Sequence, residues 1–89
     1  MRELEAQLQA EAKEDLEAME AQMRRIFVKH MVKISLMPPR RHMKFGLPFN
    51  VENVTKQARL IYQMEDNTLY ILRCFATHKE YEKWYNSFK

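Results

Sequence analysis

Two adjacent prolines, Pro38-Pro39, close what is otherwise one unbroken helical pattern across the first third of the chain. Apolar residues recur at spacings of three and four through Leu4, Leu8, Ala12, Leu16, Met19, Met23, the Ile26-Phe27 pair and Met31, the period of an amphipathic helix. Proline has no amide hydrogen, clashes with the preceding turn and pushes its predecessor out of helical geometry. The helix therefore has to end there. A continuous helix of ~30 residues runs ~45 Å at ~1.5 Å per residue, too long to lie wholly on so small a domain. The pattern predicts helix over residues 1–36. It carries either a bend near Lys13–Asp15, with Asp15 capping a second helix, or an N-terminal half that stands free.

After the prolines the period changes. Residues 37–48 form a basic connection holding Arg40, Arg41, His42 and Lys44, and the only glycine, Gly46, lies near its end. Phe49-Asn50-Val51-Glu52-Asn53-Val54 then alternates at period two, and Ala58–Met64 and Thr68–Phe75 are rich in β-branched and aromatic residues, the marks of strands. Glu65-Asp66-Asn67 reads as a three-residue hairpin loop with Asn67 in the left-handed position. Thr77-His78-Lys79-Glu80 is a capping box that starts a last helix over 78–87. Tyr81, Trp84, Tyr85 and Phe88 follow at i, i+3, i+4 and i+7, one apolar face that anchors the helix to the sheet. The fold class is α+β in one domain, residues 1–89. An N-terminal helix or helical hairpin packs on an antiparallel β-meander over 49–75, with a short C-terminal helix.

Charge is divided along this order. Residues 1–23 carry seven acids and two bases, and the remainder thirteen bases and five acids, net −5 against +8. A basic body bearing an acidic helix suits a polyanionic partner, although a solvated acidic helix beside a mildly basic domain gives the same balance. No apolar run approaches the ~18–20 residues that span a bilayer. The N-terminus has no signal-peptide core, so the expected location is cytoplasmic. The lone Cys74 excludes an internal disulfide, and His30, His42 and His78 lack metal-ligand spacing. No metal and no cofactor is expected.

Packing leaves several residues unexplained. With a three-residue loop, Met64 pairs with Thr68 and Arg59 faces Arg73. Two opposed arginines repel unless each has a carboxylate, both are exposed, or an anion sits between their guanidinium forks. His78 lies in the first turn of the last helix, where unpaired N–H groups favour anions and an imidazole can exchange a proton. Tyr81 shares its face, and Lys56 and Lys79 add charge nearby. Each has a plainer reading: His78 as an exposed first-turn residue, Tyr81 as core, the lysines as solvated surface.

The segment ARLIYQMEDNTLYILRCFATHKEY, residues 58–81, resembles the core of the RelE/ParE-like toxins of toxin–antitoxin pairs. Those proteins share an R-(apolar)-I-Y run, an acidic turn, and an apolar strand with a second arginine and a His- and Tyr-containing tail. The Thr-His-Lys-Glu-Tyr tail is similar to the HigB-like branch. The resemblance implies a compact microbial-ribonuclease fold, metal-independent cleavage of mRNA on the ribosome, and neutralisation by a cognate antitoxin. It makes Arg59 and Arg73 the holders of the scissile phosphate. His78 and Tyr81 become the acid/base and base-stacking residues, and Lys44, Lys56 and Lys79 supply basic contacts to RNA. Such toxins begin with a strand; this chain reads as helix from its start, which leaves the expected sheet one strand short with an exposed edge.

Two readings of function therefore stand. One is an endoribonuclease that acts through Arg59, Arg73, His78 and Tyr81. The alternative is a non-catalytic interaction module, of the gyrase-poison type or a degenerate toxin, that acts by binding protein.

Overall fold

The computed structural model describes residues 5–36, 49–65 and 68–87. Lys44 and the basic connection of 37–48 lie outside the described residues, as do Asp66, Asn67 and Phe88. The elements run β1 (Glu5–Leu8), α1 (Ala10–Glu17), α2 (Ala21–Leu36), β2 (Asn50–Asn53), β3 (Arg59–Glu65), β4 (Thr68–Phe75) and α3 (His78–Asn86). One four-stranded sheet has the order β1-β4-β3-β2.

The first correction to the sequence reading is β1. Glu5–Leu8 is not helix but a strand parallel to β4, pairing Glu5 with Thr68 through Leu8 with Ile71. The sheet is therefore mixed, not purely antiparallel, and it is not a strand short. Glu, Ala, Gln and Leu are good helix formers, and Leu4 and Leu8 fit a helical stripe as well as a strand. Four residues of propensity are outweighed by the ladder they complete, which covers β4 along Thr68–Ile71. The Gln9 amide continues that ladder to the Ile71 carbonyl at 3.0 Å.

The helical break is also displaced. The chain turns at Ala18–Glu20 rather than at Lys13–Asp15, with the Ala18 and Met19 amides bonded back to Glu14 and Leu16 carbonyls. α1 and α2 then lie on one face of the sheet. Ala12, Leu16, Phe27, Met31 and Ile34 pack on Leu60, Tyr62, Leu69, Ile71 and Cys74 to form the main core. Phe27, Leu60, Leu69 and Ile71 are fully buried, so truncating any of them to Ala costs about 2–5 kcal/mol. Where α2 passes β2, His30 Nδ1 lies 3.2 Å from Glu52 Oε2 and Lys33 Nζ lies 3.9 Å from it.

The opposite face carries a smaller core of Phe49, Ile61, Phe75 and Tyr81, flanked by Leu72, Trp84 and Tyr85. α3 covers it. The cap of α3 forms as the sequence predicts: Thr77 Oγ1 accepts from the Glu80 amide at 3.2 Å and donates to Glu80 Oε1 at 3.0 Å. Trp84 sits between Phe49 and Phe75, with centroids at 4.9 and 5.5 Å.

The hairpin register is the third correction. Glu65, not Met64, pairs with Thr68, so the loop has two residues. A bulge follows between Ile61 and Tyr62: Tyr62 pairs with Ile71 and Ile61 with Arg73, which leaves Leu72 as the extra residue. Arg59 therefore stands opposite Phe75 and not opposite Arg73. The two arginines are diagonal neighbours on the α3 face, a separation of about 7–8 Å in an antiparallel pair.

Candidate functional site

The pairing of Arg59 with Phe75 decides the geometry of the site. Phe75 ends β4, and His78 opens α3 three residues later. The turn from β2 to β3 closes on itself beside them. Val54 donates its amide to the Ala58 carbonyl at 3.0 Å, and Thr55 Oγ1 accepts from the Gln57 and Ala58 amides. This turn aims carbonyls at Arg59, whose Nη1 lies 3.2, 3.2 and 3.0 Å from the Thr55, Lys56 and Ala58 oxygens. The guanidinium is thus held by neutral acceptors that leave its charge uncompensated. Among the described residues no carboxylate forms an ion pair with it.

Lys56, Gln57, Arg59, His78, Lys79 and Glu82 together line an open depression of about 500 Å³. Three of these side chains are permanent cations and one is an imidazole. His78 is 44% exposed, and its Nδ1 lies 3.2 Å from Glu82 Oε1, one helical turn on. Three cations against the single carboxylate of Glu82, at the N-terminal turn of a helix, give the depression a net positive field from side chains and backbone together.

Tyr81 is placed differently. Its ring is buried, 6.2 Å from Phe75 and 5.9 Å from His78. Burial raises its pKa, with Tyr85 adding and Arg59 opposing, so the phenol is held in its neutral form. A ring packed into the smaller core supports the wall behind His78.

Arg73 lies outside the depression. Its Nε and Nη2 donate to Asp15 Oδ2 and Oδ1 at 2.8 and 3.1 Å, and Asp15 Oδ2 also accepts the Cys74 amide at 2.9 Å. The hydrogen bond to Asp15 raises the arginine's pKa, against the effect of burial. The guanidinium also lies over the Phe75 ring, 4.8 Å from its centroid. Arg59 and Arg73 thus flank the same aromatic side chain.

This arrangement of helices and sheet has counterparts of known structure. A chain of the toxin–antitoxin complex RelBE2 from Mycobacterium tuberculosis matches with a TM-score of 0.74 at 19% identity, covering 88% of this chain and 95% of that one. The fold is that of the RelE-like toxins. A chain of the intact RelBE toxin–antitoxin complex of E. coli matches at 0.69 with 18% identity over 81% of this chain and 94% of that one. A metal-bound toxin from Helicobacter pylori matches at 0.60 with 20% identity over 86% and 97%. No protein-family model matches the chain, and no curated protein matches it by sequence.

On this RelE-like frame the sequence reading grouped Arg59, Arg73, His78 and Tyr81 with Lys56 and Lys79. The structure brings Lys56, Arg59, His78 and Lys79 to one depression and leaves Arg73 and Tyr81 outside its lining. The sequence reading missed Asp15, which it read as a helix cap. The carboxylate instead serves β4 beyond the end of β1, where the Cys74 amide would otherwise lack an acceptor. Nothing local in the sequence announces a partner 58 residues away. Glu82 was legible, four residues after His78 on one helix, and went unread. Among the described residues no group of three or more His, Cys, Asp or Glu side chains is arranged to hold a metal ion, and no helix is long and apolar enough to cross a membrane.

Proposed function

We propose that this chain is the toxin of a type II toxin–antitoxin pair and an endoribonuclease that cleaves mRNA on the ribosome. The observation that carries the reading is the shared depression of Arg59, Lys56, Lys79 and His78. In the reaction the 2′-oxygen of one nucleotide attacks the adjacent phosphorus and the 5′-oxygen of the next nucleotide leaves. The products are a 2′,3′-cyclic phosphate and a 5′-hydroxyl. One proton must leave the 2′-hydroxyl and one must reach the departing oxygen. Negative charge grows on the non-bridging oxygens between these events. Arg59, fixed by three turn carbonyls, stabilises that charge without having to reorganise. His78 takes the proton from the 2′-hydroxyl and returns it to the departing 5′-oxygen. Lys56 and Lys79 hold flanking phosphates, and Arg73 supports the scissile one from beyond Phe75.

The partner in this reading is a cognate antitoxin, supported by the two RelBE matches, which come from toxin–antitoxin complexes. One observation favours the alternative of a non-catalytic interaction module: Arg73 already has a carboxylate partner in Asp15. The deciding experiment incubates the purified protein with translating ribosomes and maps mRNA ends. The proposal expects 2′,3′-cyclic phosphate termini that vanish with Arg59→Ala. Intact mRNA together with arrested DNA gyrase would replace it with the alternative.

A further inference from the structure

Arg73 is constrained from two sides, and the constraints leave part of it unused. Asp15 takes the Nε–Nη2 fork in two hydrogen bonds, and Phe75 lies under the guanidinium plane. Among the described residues nothing accepts from Nη1. Arginine carries five donors in a rigid planar fork, so fixing one edge fixes the direction of the other. The Cys74 amide alone gives Asp15 a structural use, but that use needs no arginine. A clamped, stacked guanidinium with spare donors is what a phosphate oxygen requires in order to bind without the cost of ordering a long side chain.

We infer that Asp15 is a positioning residue: it holds Arg73 by one edge so that the remaining donors meet an anion on the α3 face, diagonal to Arg59. The inference rests on the reading of this face as an RNA-cleaving site. It assigns a role to α1, the helix whose acidity otherwise opposes RNA.

Electrostatics and positioning predict opposite signs for the same substitution. Asp15→Asn removes a negative charge beside Arg73 while keeping an oxygen for the Cys74 amide. If Asp15 only neutralises Arg73, cleavage holds or rises. If Asp15 positions it, kcat falls by roughly 10²-fold, the scale of a small misplacement of a catalytic group. KM should then change less than about threefold, because net positive charge has grown. In an Arg73→Ala background, Asp15→Asn should have no further effect, since it acts through that side chain. Equal losses in both backgrounds would overturn the inference. Arg73→Lys tests the fork without touching Asp15: lysine keeps the charge but not the planar edge, so cleavage should fall as it does for Arg73→Ala, and full activity would also overturn it.

A nuclear magnetic resonance readout separates failure of the inference from failure of the ribonuclease reading. The Arg73 Nε–H signal should be protected in the parent, lost in Asp15→Asn, and shifted when RNA with a 2′-deoxy substitution at the cleavage position is added. If the parent cleaves nothing but shows all three changes, the ribonuclease reading falls and the positioning contact stands. An Nε–H signal indifferent to Asp15 or to RNA sinks the positioning contact.

Discussion

Arg59 stands opposite Phe75 in the β3–β4 ladder, and that one pairing sets the first turn of α3 beside the β2–β3 turn. His78, Lys56 and Lys79 meet Arg59 there because β4 ends at its partner. The Asp15–Arg73 clamp lies on the far side of Phe75, so the ring separates a charge held by neutral carbonyls from one held by a carboxylate.

Chemistry and packing in α3 separate by substitution. His78 is exposed enough that His78→Gln should change stability by no more than about 0.5 kcal/mol, while cleavage of ribosome-bound mRNA drops by roughly 10²–10⁴-fold. Arg59→Ala should weaken cleavage and RNA affinity together, because it removes a phosphate contact. Trp84→Ala should act through stability instead, costing about 3 kcal/mol, the low end for a large aromatic, since the ring is half-buried between Phe49 and Phe75. Denaturant melts beside cleavage rates check the set. Parent-rate cleavage by His78→Gln would return His78 to the helix surface.

Deleting residues 2–12 should unfold the protein rather than merely trim an acidic tail. The deletion removes β1, which pairs with β4 along four residues, and Ala12, which is fully buried. It exposes the β4 edge to intermolecular pairing. Size-exclusion chromatography should find aggregate, and circular dichroism should find lost sheet. A folded, monomeric truncation would mean that β1 adds nothing to the sheet.

The strength of β1 illustrates which parts of the fold the sequence can and cannot reveal. Elements whose own residues decide them were legible: α3 from Thr77 and Glu80, β4 over Thr68–Phe75, and the apolar faces of α1 and α2. Elements decided by a distant partner were not. Glu5–Leu8 is a strand because β4 lies beside it. Asp15 leaves its expected capping role because α1 runs through it and α2 starts only at Ala21, so its carboxylate takes the Cys74 amide and Arg73 instead. The two-residue loop shifts the expected register by one residue and the bulge at Leu72 by another, and together they move Arg73 from its expected place opposite Arg59. In the candidate site, Lys56, His78 and Lys79 reach a common depression through their positions on one helix and one turn, whereas Arg73 depended on cross-strand register, which a single inserted residue changes.

Glu14 and Glu17 lie exposed on α1 and oppose RNA only at long range. Exchanging both for Gln should strengthen binding of uncleavable RNA by roughly a few-fold at low salt, and the gain should fade as salt screens it. Fluorescence anisotropy across a salt series measures this. A gain that persists at high salt would point to a direct contact instead.

Cys74 ties the core to alkaline stability. Burial pushes its thiol up to about 12, with Asp15 adding to the shift and Arg73 opposing it. Burial likewise raises Tyr81. Both groups are neutral when protonated, and each is harder to ionise in the fold than in the unfolded chain. Unfolded chains therefore lose these protons first as pH rises. The number of protons bound in the unfolded state falls below that in the native state, and stability declines with pH. For Cys74 the decline runs from the ordinary thiol range up to about 12, with no contribution below it. Urea melts should show stability flat from neutrality to about pH 8 and falling beyond, given an unfolded thiol pKa of about 8.5. Cys74→Ala should lower stability at neutral pH, because it leaves a small void in the main core, and should flatten the alkaline decline. In the native state the thiol should react with iodoacetamide far more slowly than in urea, since the thiolate is the nucleophile. Rapid alkylation of the folded protein at pH 8, or a slope unchanged by Cys74→Ala, would show that this sulfur is not buried as the structure has it.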